Sequence, residues 1–463
     1  MADRLTALDA MFLYMERPNI QMHVASISVL DPSSLPGGRI RFDDLKTHVA
    51  GRIHLVPRFR QKVAFLPFNV GRPMWVDDDH FDLDFHMRRA ALPEPGGRSE
   101  LADYVQRVHS RPLDRSRSLW EMYLIEGLED GRIAIFTKTH HAMIDGMSGV
   151  DIASVLFDTT EQPRPFEAEP WTPEPAPSTA ELMRRWAVDS VTHPVEAATA
   201  QASAAFGAPR FAIARARDAL SSASNLVRSG RAPESPFDVV VGSSRRFSFA
   251  DAVVDDAKAI KNALGGSVND VILAAVAGAI GRLLEARGNE VGDLSLRAMV
   301  PVSTRDESQS MTFGNRVSMF FVDLPVGPMD PAQRLRLITE ATRDLKEKRH
   351  ALGAASLVGM TRWAPPTLHA LAARLASRQR IMNLVVSNVP GPNVPLFLAG
   401  ARLIAMYPLM PLVEAAALSI AITSLSGVMG FGFTGDWDAV PDIDALPGHL
   451  NAAIADLKKA AGV

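Results

Sequence analysis

In Arg132-Ile133-Ala134-Ile135-Phe136-Thr137-Lys138-Thr139-His140-His141-Ala142-Met143-Ile144-Asp145-Gly146, an apolar run gives way to two histidines, a carboxylate and a glycine, and a helical pattern begins near Met147. A short run rich in Ile, Phe and Thr reads as a buried strand, so the histidines stand where a strand ends and a helix begins. Neighbouring strand residues point to opposite faces, so one histidine can address a substrate while the other supports it. An imidazole that titrates near neutrality can take a proton from a hydroxyl and return one to a leaving group. Asp145, four residues after His141, could orient a ring nitrogen or pair with an arginine and hold the loop; the second role is preferred. Gly146 admits a backbone conformation that a side chain would forbid. Two adjacent histidines by themselves are more often ordinary surface or core residues, and a metal site would need further ligands at suitable spacing.

Outward from this stretch, His23–Leu30 is strand-like, while Glu100–Ser110 and Met147–Phe157 have helical spacing, which makes the first 160 residues an α/β unit. Six prolines between Pro163 and Pro177 resist regular structure and mark a connector. Thr179 to Arg231 reads as a helical bridge. A second α/β segment starts near Arg245, with a strand at Arg246–Phe249 and a helix at Asp251–Leu264. Further strands are expected at Leu296–Val302, Val317–Leu324 and Met382–Val386, and a last helix at Ile443–Ala460. The expected division is 1–160, a connector and bridge at 161–240, and 241–463.

A chain of 463 residues is long enough for two domains, and 47% hydrophobic with 22% charged residues is ordinary globular usage. A net charge of −3 offers no broad attraction for phosphate backbones, so a nucleic-acid partner is not expected. The absence of cysteine removes disulfides, thiolate metal sites and a Cys nucleophile together, and suits a cytoplasmic location. The opening residues lack a secretory pattern. Ala415–Gly435 is uncharged and long enough to span a bilayer, but its serines, threonines and glycines, and a division at Ser426-Gly427, favour a hairpin. Peripheral contact with a membrane or lipid droplet surface stays open. Gly430-Phe431-Gly432-Phe433-Thr434-Gly435 has the letters of a dinucleotide-binding turn but no helix follows it, so close packing is the better reading of its glycines. Neither a Gly-x-Ser-x-Gly elbow nor a P-loop is present.

The string His140-His141-x-x-x-Asp145-Gly146 resembles the signature of coenzyme A-dependent acyltransferases and peptide-synthetase condensation domains. Other blocks are similar to the bacterial wax ester synthase/acyl-CoA:diacylglycerol acyltransferase family: Leu8-Asp9-Ala10-Met11-Phe12-Leu13 with Met22-His23-Val24, Leu119-Trp120-Glu121, and Asn269-Asp270-Val271-Ile272-Leu273-Ala274. Val300-Pro301-Val302-Ser303, Gly314-Asn315 and Ser387-Asn388-Val389-Pro390-Gly391-Pro392 continue them in order. Ser118 stands where that family has proline.

The resemblance implies two chloramphenicol acetyltransferase-like α/β domains with the active site in a channel at their interface. It implies O-acyl transfer from acyl-CoA, as co-substrate, to diacylglycerol or a long-chain alcohol, with no bound cofactor and no metal. His141 matches the catalytic base, and His140 and Gly146 shape the site. Asp145 is held by an arginine, for which Arg60 is chosen and Arg58 and Arg305 remain alternatives. Asn269 and Asp270 would line the channel, although by position they read first as the N-cap of a buried helix. Ser387 and Asn388 belong to a turn that shapes the same channel. A carrier-protein-dependent transferase of the condensation type and a non-catalytic lipid-binding relative are the alternatives.

Overall fold

The computed structural model describes residues 3–66, 73–144, 155–166, 169–184, 188, 231–303, 317–352 and 380–463. The N-terminal half runs β1 (Asp3–Arg4), α1 (Ala7–Met15), β2 (His23–Asp31), α2 (Phe42–Ala50), β3 (Gln61–Ala64), β4 (Met74–Asp77), α3 (Leu83–His86), β5 (Met87–Ala91), α4 (Arg98–His109), β6 (Trp120–Glu126) and β7 (Ile133–His140). The C-terminal half runs β8 (Arg245–Val253), α5 (Val254–Leu264), α6 (Val268–Ala286), β9 (Ser295–Ser303), β10 (Val317–Pro325), α7 (Pro331–Leu352), β11 (Leu384–Val389), β12 (Phe397–Leu398), β13 (Ala401–Leu409), β14 (Leu418–Leu425), β15 (Val428–Asp436) and α8 (Leu446–Ala461). The proline-rich stretch carries no helix or strand over its described residues. Most of the expected helix at Met147–Phe157 and of the bridge at Thr179–Arg231 lies outside them.

Two six-stranded sheets carry the architecture, ordered β12-β13-β2-β7-β6-β5 and β10-β9-β11-β14-β15-β8, with a small sheet β1-β4-β3 beside the first. β7 is covered on both faces, which is why it reads as an apolar run rather than an alternation. Ile133 and Ile135 join a core with Leu13 of α1 and Leu45 of α2, while Ala134 and Phe136 meet Leu101 and Val105 of α4. In the second sheet β9, β11 and β14 run parallel and the outer pairs antiparallel.

From Val271 to Gly281 α6 is apolar all round, and the helix packs among α5, α7 and α8 as the central core helix. Its N-cap is Ser267, not the Asn269-Asp270 pair. Ser267 has extended backbone and its hydroxyl accepts the Asp270 amide, while the Asp270 carboxylate accepts the Ser267 amide at 2.8 Å, a reciprocal capping box. The strand β8 also runs further than expected, because its pairing with β15 continues to Val253, and α5 therefore starts at Val254 rather than Asp251.

The uncharged stretch is the β14–β15 hairpin, and Ser426 (φ 46°) and Gly427 (φ 89°) both take the left-handed backbone that its two-residue turn requires. No single helix among the described residues is long and apolar enough to cross a membrane. α5 and α6 reach such a length and apolar composition only together, and they meet at an angle of 100°.

β13 lies far beyond residue 241, yet it pairs antiparallel with β2 of the first sheet, from Arg402 opposite Asp31 to Leu409 opposite Ala25. Its outer crossing with β15 explains the glycine pattern. A Cβ on Gly430 would stand 2.0 Å from the Met406 carbonyl oxygen, and one on Gly432 would stand 1.9 Å from that of Pro408. The halves also meet where α4 covers the edge strand β8: Ser110 Oγ accepts the Arg245 amide at 2.9 Å and Gln106 Oε1 accepts that of Phe247 at 3.3 Å.

Candidate active site

β7 ends at His140, and a 3-10 turn over His141–Met143 follows. The amide of His140 donates to Leu119 O at 2.9 Å and that of His141 to Met22 O at 2.8 Å, so the turn is tied to the starts of both neighbouring strands. His140 is buried and its Nδ1 accepts the Ala142 amide at 3.0 Å. A ring nitrogen that accepts carries no proton, so the ring proton is assigned to Nε2, which donates to Glu16 Oε2 at 2.5 Å. Glu16 is also paired with Arg115 at 3.0 Å, and Arg115 donates to Leu13 O at the end of α1. Burial alone would push the Glu16 carboxyl up, but its bond to His140 and the Arg115 guanidinium hold it below the ordinary value.

The His141 ring stacks on Phe12 of α1, with centroids 3.9 Å apart and planes at 27°. Phe12 packs against the cores of both halves, which puts the imidazole at their junction. Burial, reinforced by His140, lowers its pKa to about 4, so the ring is neutral at pH 7 and able to accept a proton. Its Nδ1 is buried with no hydrogen-bond partner among the described residues.

Behind this pair lies a second buried layer. His23 stands opposite His140 in register, and the His109 ring of α4 is 6.2 Å from that of His23. Burial and then the nearby Lys138 ammonium push both imidazoles down, His109 to about 3. Lys138 itself is fully buried. Its ammonium closes the end of α4 by donating to Val108 O and Arg111 O, and pairs with Glu121 at 3.0 Å.

The other candidates from the sequence are distributed more widely. Asp145, Gly146 and Arg305 lie outside the described residues, and with them the expected arginine pairing. Arg60 is buried with its guanidinium 5.1 Å from the centre of the Trp171 ring, and Arg58 donates to Gln61 Oε1 at 2.8 Å. Asn388 Nδ2 donates to Asn269 Oδ1 at 3.3 Å, which joins β11 to the first turn of α6. Ser387 is buried on β11, and both carboxylate oxygens of Asp270 are engaged, by Ser267 and by Thr342. Among the described residues no hydrogen bond or ion pair links these four to His140 or His141.

Ser118 is buried where its amide meets Asp78 at 3.3 Å and its hydroxyl donates to Gln61 O at 2.8 Å, bonds that a proline could not make. Trp120 next to it donates to Phe59 O at 2.9 Å. Sequence reasoning missed Glu16, which lies 124 positions from His140, and Arg115. Neither falls in a recognisable spacing, and only the fold brings them to the histidine.

The wax ester synthase/diacylglycerol acyltransferase catalytic domain matches residues 5–272, with the C-terminal domain of the same family at residues 313–458. The chain belongs to the wax ester synthase/diacylglycerol acyltransferase family. A probable diacylglycerol O-acyltransferase of Mycobacterium tuberculosis is 34% identical over 463 residues, covering 100% of both chains. A second relative from that organism, at 33% identity, covers 98% of this chain and 90% of its own. The solved wax ester synthase/diacylglycerol acyltransferase from Marinobacter aquaeolei superposes with a TM-score of 0.70 at 26% identity, covering 99% of this chain and 100% of its own. The first condensation domain of the CDA synthetase, at 15% identity and a TM-score of 0.56, shares the fold over 100% of this chain and 97% of its own. The fold is thus α/β with two chloramphenicol acetyltransferase-like domains. The protein is an acyl-CoA-dependent O-acyltransferase of the diacylglycerol acyltransferase and wax ester synthase type.

Proposed function

We propose that His141 is the general base of this transfer and that the acceptor and the thioester meet beside it in a channel between the halves. One observation carries the reading: a neutral imidazole, with its pKa lowered to about 4, stacks on the one aromatic side chain of α1 that packs against both cores. So weak a base cannot ionise an alcohol in advance. Proton transfer to His141 therefore accompanies attack of the hydroxyl oxygen on the thioester carbonyl carbon. Collapse of the tetrahedral intermediate breaks the carbon–sulfur bond, and the imidazolium returns the proton to the coenzyme A thiolate. His140 acts at one remove, through the turn that its Nδ1 holds.

Diacylglycerol is the favoured acceptor, supported by full-length similarity to relatives named for that activity, and a long-chain alcohol is the second. Both acceptors reside in lipid phases, so the enzyme works in peripheral contact with a membrane or lipid droplet surface. The lack of cysteine makes the test direct, because a thiol reagent reports released coenzyme A alone. With palmitoyl-CoA and either a diacylglycerol or hexadecanol, acceptor-dependent release is expected from the wild type. His141→Ala should lose about 100- to 10,000-fold in kcat. Full turnover by the folded variant would exclude the base role, and turnover only with a protein-bound thioester would favour a carrier-dependent transferase.

A further inference from the structure

An open cavity of about 600 Å³ lies against α2, on the stretch of chain between β2 and β3. Its size falls within the range of small-molecule sites. Among the described residues four arginines line it, Arg39, Arg41, Arg52 and Arg164, against a single lining carboxylate, Asp44. Arg52 is 2% exposed and fixed in place: it donates to Asp158 at 2.7 Å, to His48 Nδ1 at 2.6 Å and to Arg164 O at 3.1 Å. Arg164 shares the same Asp158 carboxylate at 2.6 Å. Arg52 and Arg164 are both held by Asp158, while Arg39 and Arg41 stand with Asp44 on the exposed side of the cavity. Arg39 and Arg41 are two apart on the chain leading into α2, and among the described residues neither meets an acceptor. Leu35, Pro36, Pro163 and Pro165 supply an apolar rim.

Planar guanidinium forks recognise phosphoryl oxygens in a bidentate manner, and fixed neighbours lower the ordering cost of binding. We infer that this cavity binds the phosphoryl group of an amphiphilic ligand through Arg39 and Arg41, in the field of the anchored Arg52 and Arg164. Such a group could belong to the nucleotide end of the coenzyme A thioester or to a phospholipid headgroup. The first source rests on the acyl-CoA reading above, and the second does not.

Direct binding to the full chain tests the site without turnover, so it stands apart from the role of His141. The probes are adenosine 3′,5′-bisphosphate, followed by calorimetry, and phosphatidylcholine vesicles with and without phosphatidic acid, followed by sedimentation. Arg39→Ala/Arg41→Ala should weaken one probe by at least about tenfold, the scale of losing two charge-assisted hydrogen bonds. The probe that weakens identifies the source. Asp44→Ala should tighten the same probe, a gain that misfolding cannot imitate. Arg184→Ala/Arg336→Ala removes equal charge away from the cavity and should change nothing. Equal affinity of the first variant and the wild type for both probes, an equal loss in the distant pair, or no binding by the wild type would overturn the site.

Discussion

At the residue scale, the pair His140-His141 divides its labour by geometry. His140 is held between the Ala142 amide and Glu16, while His141 keeps a buried nitrogen without a partner among the described residues. If the base is His141, its protonation sets the acid limb of kcat/KM. Because burial lowers the folded pKa to about 4, the neutral form persists well below the usual histidine range. The limb should then fall near pH 4 rather than near the unperturbed value of about 6.5. A pH profile with its acid inflection above 6 would contradict this assignment. Glu16 offers a second test. Glu16→Ala frees the His140 ring, and a displacement of the neighbouring base by about 1 Å costs roughly 100-fold in kcat. The KM for acyl-CoA should stay nearly unchanged, and Glu16→Gln, which can still accept from Nε2, should recover most of the loss. A variant that raised KM and left kcat intact would place Glu16 in substrate binding instead.

At the element scale, α4 is where a polar network does what apolar packing does elsewhere. The Lys138 ammonium reaches from β7 to Val108 O in the last turn of α4 and to Arg111 O just beyond it, adding a donor to a helix end that the Ser110 and Arg111 amides also cap. Burial disfavours that charge and lowers the lysine pKa, and Glu121 offsets the effect from the neighbouring strand. Replacing the lysine by an apolar side chain removes its contacts to Val108 O, Arg111 O and Glu121 together, while Glu121 keeps Arg88 and Tyr123. Lys138→Met should therefore destabilise the fold by about 1–3 kcal/mol, visible as a lower denaturant midpoint with an unchanged slope. A neutral outcome would mean that water replaces the ammonium. The cap of α6 teaches a related lesson. Asn269 and Asp270 have the right chemistry for a cap, but the first extended residue is Ser267, so backbone conformation selects the capping residue and turns Asp270 into the returning partner.

At the scale of the whole molecule, the two halves are joined through β13, which is hydrogen-bonded to the first sheet and lies against the second. Gly432 makes that crossing possible. Gly432→Ala puts a methyl group into the Pro408 carbonyl and should cost about 1–3 kcal/mol, with a larger share of the activity than of the stability lost, because the site lies at the junction that must shift. Unfolding curves and turnover measured on the same preparation would check this, and wild-type behaviour in both would show that the sheets can part without consequence.

Apolar runs, turn residues and the ordered family blocks were enough to determine the α/β class, most strands, the β14–β15 hairpin and the pair of histidines, because those signals are local: a strand end, a two-residue turn and a helical period are written in neighbouring residues. What only the tertiary structure decided is long-range. The pairing of β13 with β2, the Glu16 and Arg115 support of His140, the stacking of His141 on Phe12 and the arginine cavity beside α2 each join residues far apart along the chain. Strand order and burial bring such partners together, and no local period encodes them. The low pKa of His141 has largely the same origin, since burial by the packing around the imidazole comes first and the neighbouring His140 only reinforces it.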